Sequence, residues 1–241
     1  MIYCILGNSA SGKDTLMNNL LKDEELSKYY PRLKFKKLPM VTTRPRRNGE
    51  DDNVYTFVSY EEFFENYYHT DRLIEHRCYD VATEDGGDTW YYGTYIPENT
   101  TLEDLNEQSF LIACSASQYL ACCKYFKDTL DIIYPIVLHC RDTIRLRRYI
   151  NRLSDDASRS EIEEAVRRIV HDKDYFNTDI NYPGCFSSEC LGAELLENVQ
   201  EHIKTVFLHY RSGDIKSTNE VLMDYIKKEL DKNKLNNMRR I

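Results

Sequence analysis

An α/β fold, with a parallel sheet flanked by helices, is what this chain predicts, and three stretches carry the prediction. Residues Ile2–Leu6, Phe110–Cys114 and Ile132–His139 are short, largely apolar runs, the pattern of strands buried on both faces of a parallel sheet. The first of them leads straight into Gly7-Asn8-Ser9-Ala10-Ser11-Gly12-Lys13-Asp14-Thr15. Leu16-Met17-Asn18-Asn19-Leu20-Leu21 then supplies the apolar face of a helix over about residues 13–22. A strand, a glycine-bounded loop and a helix in that order form a phosphate-binding loop. Its backbone N–H groups and the helix N-terminus face one polyphosphate, and Lys13 reaches the outer phosphates.

The P-loop predicts ATP as a co-substrate and Mg²⁺ as its companion, with the sheet of P-loop NTPase type. After Lys13, where a hydroxyl residue usually serves the metal, stands Asp14, followed by Thr15. A carboxylate is a hard oxygen ligand, so Asp14 and Thr15 are the candidate metal residues. An acidic residue at a helix start also suits the helix dipole without any metal.

Along the rest of the chain, Leu33–Met40 reads as a second strand. Val54–Val58 alternates as a strand does, and Ser59 begins a helix over Tyr60–Tyr68 with Ser59 and Glu62 as a capping box. Leu73-Ile74-Glu75 and Trp90–Thr94 are extended pieces separated by the acidic, glycine-containing stretch Thr83–Asp88, expected as an exposed hairpin loop. Asp142–Arg168 is dense in arginine and broken by Ser154–Ser158. Ala193–Tyr210 and Ser217–Lys232 read as amphipathic helices, with a basic tail at Asn236–Ile241.

The 241 residues suffice for one good core. A net charge of −8 gives no prior for nucleic-acid binding, and no apolar run approaches the roughly 20 residues a membrane span needs. With Ile2 already in a strand there is no signal-peptide pattern, so a cytoplasmic protein is expected. The eight cysteines include no CxxC pair and lie mostly in apolar segments, which reads as reduced, buried thiols. Cys185 and Cys190 with His171 have unconvincing spacing for zinc.

Three ordered blocks then become specific. Thr42-Thr43-Arg44-Pro45-Arg46-Arg47-Asn48-Gly49-Glu50, Tyr55-Thr56-Phe57-Val58-Ser59 and Trp90-Tyr91-Tyr92-Gly93-Thr94, together with the P-loop, resemble the guanylate kinase family over roughly residues 1–180. The resemblance implies a core for ATP, a small inserted β-rich NMP-binding subdomain and a helical lid. On this chain that gives a domain over 1–211, with core segments 1–38, 95–140 and 169–211, an insert over about 39–94 and a lid over about 141–168. Residues 212–241 form a C-terminal helical extension, and the assembly is a monomer or homodimer.

By the same resemblance Arg44, Arg47, Tyr55 and Tyr92 hold the acceptor phosphate, and Arg46 between them is solvated. Glu75 and Thr94 read guanine. Arg148, Arg152 and Arg168 are the lid arginines that join Lys13 and Arg44 in catalysis. Two departures concern the base: the family's guanine-facing serine falls at Met40. The second guanine-facing acid falls at Ser115, with Ala113 at the preceding acidic position, leaving Glu84, Asp85 or Asp88 of the neighbouring insertion as substitutes. The implied activity is phosphoryl transfer from ATP to GMP or dGMP. The alternatives are another phosphorylated acceptor, including ribose 1,5-bisphosphate given the Gly-Lys-Asp-Thr loop, or a non-catalytic module binding phosphopeptides.

Overall fold

The computed structural model describes residues 1–46, 55–83, 86–157, 159, 162–163, 166, 184–189, 191–209 and 219–228. Strand β1 (Ile2–Gly7) is central to a five-stranded sheet with β2 (Phe35–Lys37), β7 (Ser109–Cys114), β8 (Ile133–His139) and β9 (Cys185–Ser187), in the order β2-β7-β1-β8-β9. Every pairing in it is parallel. Both faces of β1 are apolar, as a doubly covered strand requires. Ile2, Cys4 and Leu6 share one core with Ile112, Tyr119 and Cys122, whereas Tyr3 and Ile5 share the other with Leu16, Leu20 and Ile136. Helices α1 (Lys13–Lys22) and α7 (Ala193–His209) cover that second face, and α5 (Ala116–Tyr125) covers the first.

Pro135 sits inside β8 opposite Cys4. The N–H of Val137, two residues on, points to the β9 side, where it meets the Gly184 carbonyl at 2.7 Å. Pro135 by the same alternation points its missing N–H there, ahead of the paired stretch, where the loss costs least.

A second sheet has the order β4-β3-β6-β5, from β3 (Met40–Thr42), β4 (Thr56–Phe57), β5 (Leu73–Thr83) and β6 (Gly86–Tyr95). The single strand expected over Leu33–Met40 is therefore two strands in two sheets. Leu38 still donates to Leu111 of the first sheet at 2.8 Å, while the Pro39 carbonyl already accepts from Tyr95 of the second at 3.2 Å. Pro39, with no N–H to continue a ladder, is where the chain changes sheets.

The expected loop over Thr83–Asp88 is also shorter than predicted. β5 and β6 pair from Leu73–Tyr95 to Thr83–Gly86, and only residues 84–85 lie outside the described residues there. Ser59 makes the predicted capping box with Glu62, but the helix α3 (Tyr60–Phe63) widens into a π-turn over Phe64–Tyr68.

Helix α8 (219–228) packs Leu222 and Ile226 into the first core. Its fully buried Asn219 donates to the Leu130 and Ile133 carbonyls at 2.7 and 2.6 Å and accepts from the Tyr119 hydroxyl at 2.6 Å. Each polar atom of that amide thus replaces the water it loses. Cys4, Cys114, Cys122, Cys123 and Cys140 are free and buried as expected, whereas Cys78 is exposed on β5. Among the described residues no helix is long and apolar enough to cross a membrane.

Candidate active site

The loop between β1 and α1 bends where glycine is needed. Gly7 has φ of 150°, and a Cβ there would stand 2.5 Å from the Leu138 carbonyl oxygen; Gly12 has φ of 102° and abuts Leu191. Both conformations are ones a side chain rarely tolerates. Ala10 is left-handed as well, at φ of 61°. The backbone so bent places Gly12 at the N-terminus of α1, whose first N–H groups have no carbonyl to bond. Ser11 Oγ and Asn8 Oδ1 are buried in the loop without a hydrogen-bond partner. Lys13 folds back so that Nζ donates to the Gly7 and Asn8 carbonyls at 2.7 and 3.0 Å. An ammonium resting on carbonyls, beside orphaned polar atoms and open N–H groups, is a cradle suited to a phosphate chain.

Asp14 and Thr15 stand exposed on the first turn of α1. Their oxygen atoms are the donor chemistry Mg²⁺ prefers, and the ion usually completes its shell with water and substrate phosphate. Among the described residues no group of three His, Cys, Asp or Glu side chains could hold a metal ion.

Helix α6 (Asp142–Ile150) approaches the loop from the other side and fastens it with arginine. Arg145 is fully buried; its Nε donates to the Ser9 carbonyl at 2.8 Å and its Nη1 to Asp142 Oδ1 at 2.5 Å. Arg148, one turn on, donates to the carbonyls of Ala10 at 3.1 Å, Ser11 at 3.2 Å and Glu189 at 3.0 Å, and to that of Ser188. The expectation for Arg148 was a lid arginine closing on phosphate; the structure turns it onto the loop's own backbone. Arg152 is exposed and stacks over Tyr149 at 5.9 Å. Arg168 lies outside the described residues, as does Arg47.

The second sheet carries the other half of the site. Arg44 is buried, its guanidinium over the rings of Tyr55 at 5.8 Å and Phe57 at 5.4 Å, with Nη1 on the Pro45 carbonyl at 2.8 Å. Such stacking on aromatic faces holds a cation in place. Arg46 is exposed and stacks on Phe57. Tyr55 meets Tyr92 edge to face at 5.8 Å. Burial pushes the Tyr55 phenol above its usual value, against the opposite pull of Arg77 and Arg44, while Tyr92 and the Asp14 carboxylate add to the rise. Tyr55 therefore stays a neutral O–H donor.

Deeper in the same pocket, Glu75 and Thr94 are buried opposite each other on β5 and β6, and Thr94 Oγ1 donates to Glu75 Oε1 at 2.6 Å. Arg77 Nη1 donates to the same oxygen at 2.7 Å, and Gln118 Nε2 at 3.2 Å. Arg77 also lies over the Tyr92 ring at 5.4 Å.

Ser115, expected beside the base, instead caps α5: its Oγ accepts from the Gln118 N–H at 3.4 Å and faces Ser117 Oγ at 3.0 Å. Its partner Gln118, three residues on, is the side chain that reaches Glu75. Asp88, the one described substitute from the insertion, pairs with Val81 near the hairpin tip. It binds Trp90 Nε1 at 2.9 Å, roughly 20 Å along β6 from Thr94.

The crystal structure of a guanylate kinase from Anaplasma phagocytophilum superposes on this chain with a TM-score of 0.50 at 21% identity, over 85% of each chain. The fold is a guanylate kinase fold. No family model and no curated protein matches the chain.

Three residues of the site escaped sequence reasoning. Arg145 was one of several arginines in its segment, and its spacing of three from Arg148 was the available signal, since it puts both on one helix face. Arg77 stands two residues beyond Glu75, hence on the same face of a strand once β5 is known to continue. Gln118 had the Ser-x-x-Gln capping-box pattern as its only sign.

Proposed function

We propose that the chain is an ATP-dependent nucleoside monophosphate kinase that makes GDP from GMP or dGDP from dGMP. One observation carries the reading: a continuous path of side chains, Glu75–Arg77–Tyr92–Tyr55–Arg44, links a buried carboxylate to an arginine stacked among tyrosines. The neighbour's name supports the same activity, as does the loop whose polar atoms lack partners in the protein itself.

In this reading the P-loop backbone and Lys13 hold the ATP phosphates. Arg44, Tyr55 and Tyr92, with Arg47, hold the acceptor phosphate, offsetting the repulsion between two anions brought together. An acceptor phosphate oxygen attacks the γ-phosphorus in line, the bond from γ-phosphorus to the β–γ bridging oxygen breaks, and ADP leaves with that electron pair. No protein nucleophile takes part. Asp14 and Thr15 would hold Mg²⁺, which when bound neutralises charge on the β- and γ-phosphates. Arg145 and Arg148 keep the loop's carbonyls turned away from the phosphates; Arg152 and Arg168 serve as the arginines that approach on closure. Glu75 and Thr94 face the base.

The test is ADP release with Mg-ATP against GMP, dGMP, AMP, CMP, UMP, dTMP and ribose 1,5-bisphosphate. Turnover with GMP or dGMP well above the rest is expected. Preference for another acceptor leaves a kinase with a different pocket, and no turnover across the panel overturns the reading.

A further inference from the structure

We infer that Arg77 reads the acceptor's base, its guanidinium donating to the O6/N7 edge of a 6-oxopurine while Glu75 Oε2 accepts from the base's N–H groups. The inference rests on the kinase reading above. Its starting point is a shortage of donors. A 6-oxopurine offers a carbonyl acceptor next to N–H donors, so its pocket needs both kinds of group. The two positions at which the family resemblance would put polar readers supply none: Met40 brings a thioether, and Ser115 spends its hydroxyl on the α5 cap.

Arg77 fills that gap from the same strand face as Glu75. Thr94, Gln118 and Arg77 all converge on Glu75 Oε1, and no described residue donates to Oε2. Gln118 is occupied at both ends, since its Oε1 accepts from the Ser115 N–H at 2.9 Å. It positions the carboxylate. Arg77 spends one hydrogen bond on Glu75 and rests on the Tyr92 ring, with a fork of further N–H groups to offer. Burial is the largest influence and works to lower its pKa, but Glu75, Tyr79 and Tyr55 together outweigh it and the net shift is upward, so it stays a cation.

Charge decides what the pair binds. Arg77 and Glu75 cancel, so this end of the pocket is neutral and suits an uncharged base. A second phosphate, as in ribose 1,5-bisphosphate, would meet a buried carboxylate there. An arginine fork prefers the two acceptors O6 and N7 of an oxopurine and is mismatched to the 6-amino group of adenine.

The experiment measures kcat/KM for GMP, IMP and AMP, and KM for ATP, in the wild type, Arg77→Met and Arg77→Lys. IMP keeps O6, N7 and the N1–H and lacks only the 2-amino group. The wild type is expected to prefer GMP and IMP over AMP. Arg77→Met should lower kcat/KM for GMP and IMP by about 5- to 150-fold with AMP little changed and the KM for ATP constant. Arg77→Lys retains the ion pair with Glu75 and loses the fork, so it keeps the fold even if the Met variant does not, and it should lose most of the same preference. An Arg77→Lys enzyme with the wild-type GMP-to-AMP ratio, or one that loses all three substrates equally, overturns the inference and leaves the kinase reading standing. A wild type preferring AMP overturns the inference and the GMP assignment together, leaving a kinase with a different pocket. A wild type that turns over none of the three overturns this inference, and if the remaining acceptors of the wider panel are silent as well, the kinase reading falls with it.

Discussion

The two halves of the site both rely on arginine and hold it in opposite ways. Around the P-loop, Arg145 and Arg148 spend their N–H groups on the carbonyls of Ser9, Ala10, Ser11 and Glu189, contacts that shape a backbone. In the pocket proposed for the acceptor, Arg44 and Arg77 lie on the rings of Tyr55, Phe57 and Tyr92, contacts that orient a guanidinium by its face, beside single hydrogen bonds to the Pro45 carbonyl and to Glu75. An arginine on carbonyls is a fastener, and an arginine on rings is poised for an anion or a base edge. Residue type alone does not separate the two uses; the partner does.

The sharpest way to probe the donor half is Lys13→Ala. If Lys13 serves phosphate and only rests on the Gly7 and Asn8 carbonyls, kcat should fall at least about 10²-fold while circular dichroism and the unfolding midpoint hold. Unchanged turnover would remove the loop from the chemistry. Arg44→Ala addresses the acceptor half: the acceptor KM should rise by about 10- to 100-fold, a loss of about 1.4–3 kcal/mol, with the KM for ATP nearly constant. An equal rise in both would erase the division between halves.

Arg145→Met tests the fastener. It strips the Ser9 carbonyl of a charged donor, so urea denaturation should show a loss of about 1.5–3 kcal/mol, and the KM for ATP should rise more than that for the acceptor. Asp142 contributes little to this loss because it is mostly exposed. A stable variant with a raised acceptor KM would move Arg145 to the other class. The smallest effect on activity belongs to Asn219→Leu in α8, whose side-chain hydrogen bonds go to Tyr119, Leu130 and Ile133 and to neither half of the site. It leaves the Leu130 and Ile133 carbonyls and the Tyr119 hydroxyl short of a partner and should lower stability by about 1–3 kcal/mol with kcat unchanged at low temperature. A fall in kcat there would tie α8 to the site.

The central sheet was legible because its signals are local. Apolar runs at Ile2–Leu6, Phe110–Cys114 and Ile132–His139 must be covered on both faces, and the P-loop glycines declare a backbone that other residues avoid. The Ser59 cap was legible for the same reason. The second sheet was less so. Leu33–Met40 reads as one strand because its apolar residues ignore the sheet change at Pro39, and β5 beyond Glu75 is polar enough to pass for a loop until β6 pairs with it. Mispaired expectations at the site follow from this: with β5 ending at Glu75, Arg77 had no face to share.

By itself the sequence determined the phosphate loop, the helix that follows it and the apolar strands of the sheet, since each depends on residues within a few positions of one another. Only the tertiary structure decided what each arginine does and which residue stands beside Glu75. Arg145 finds Ser9 across 136 positions and Gln118 finds Glu75 across 43, contacts that exist only after sheet and helices have packed. A guanidinium carries the same charge wherever the chain places it; the carbonyl, ring or carboxylate brought against it by packing sets whether it holds the protein or a ligand.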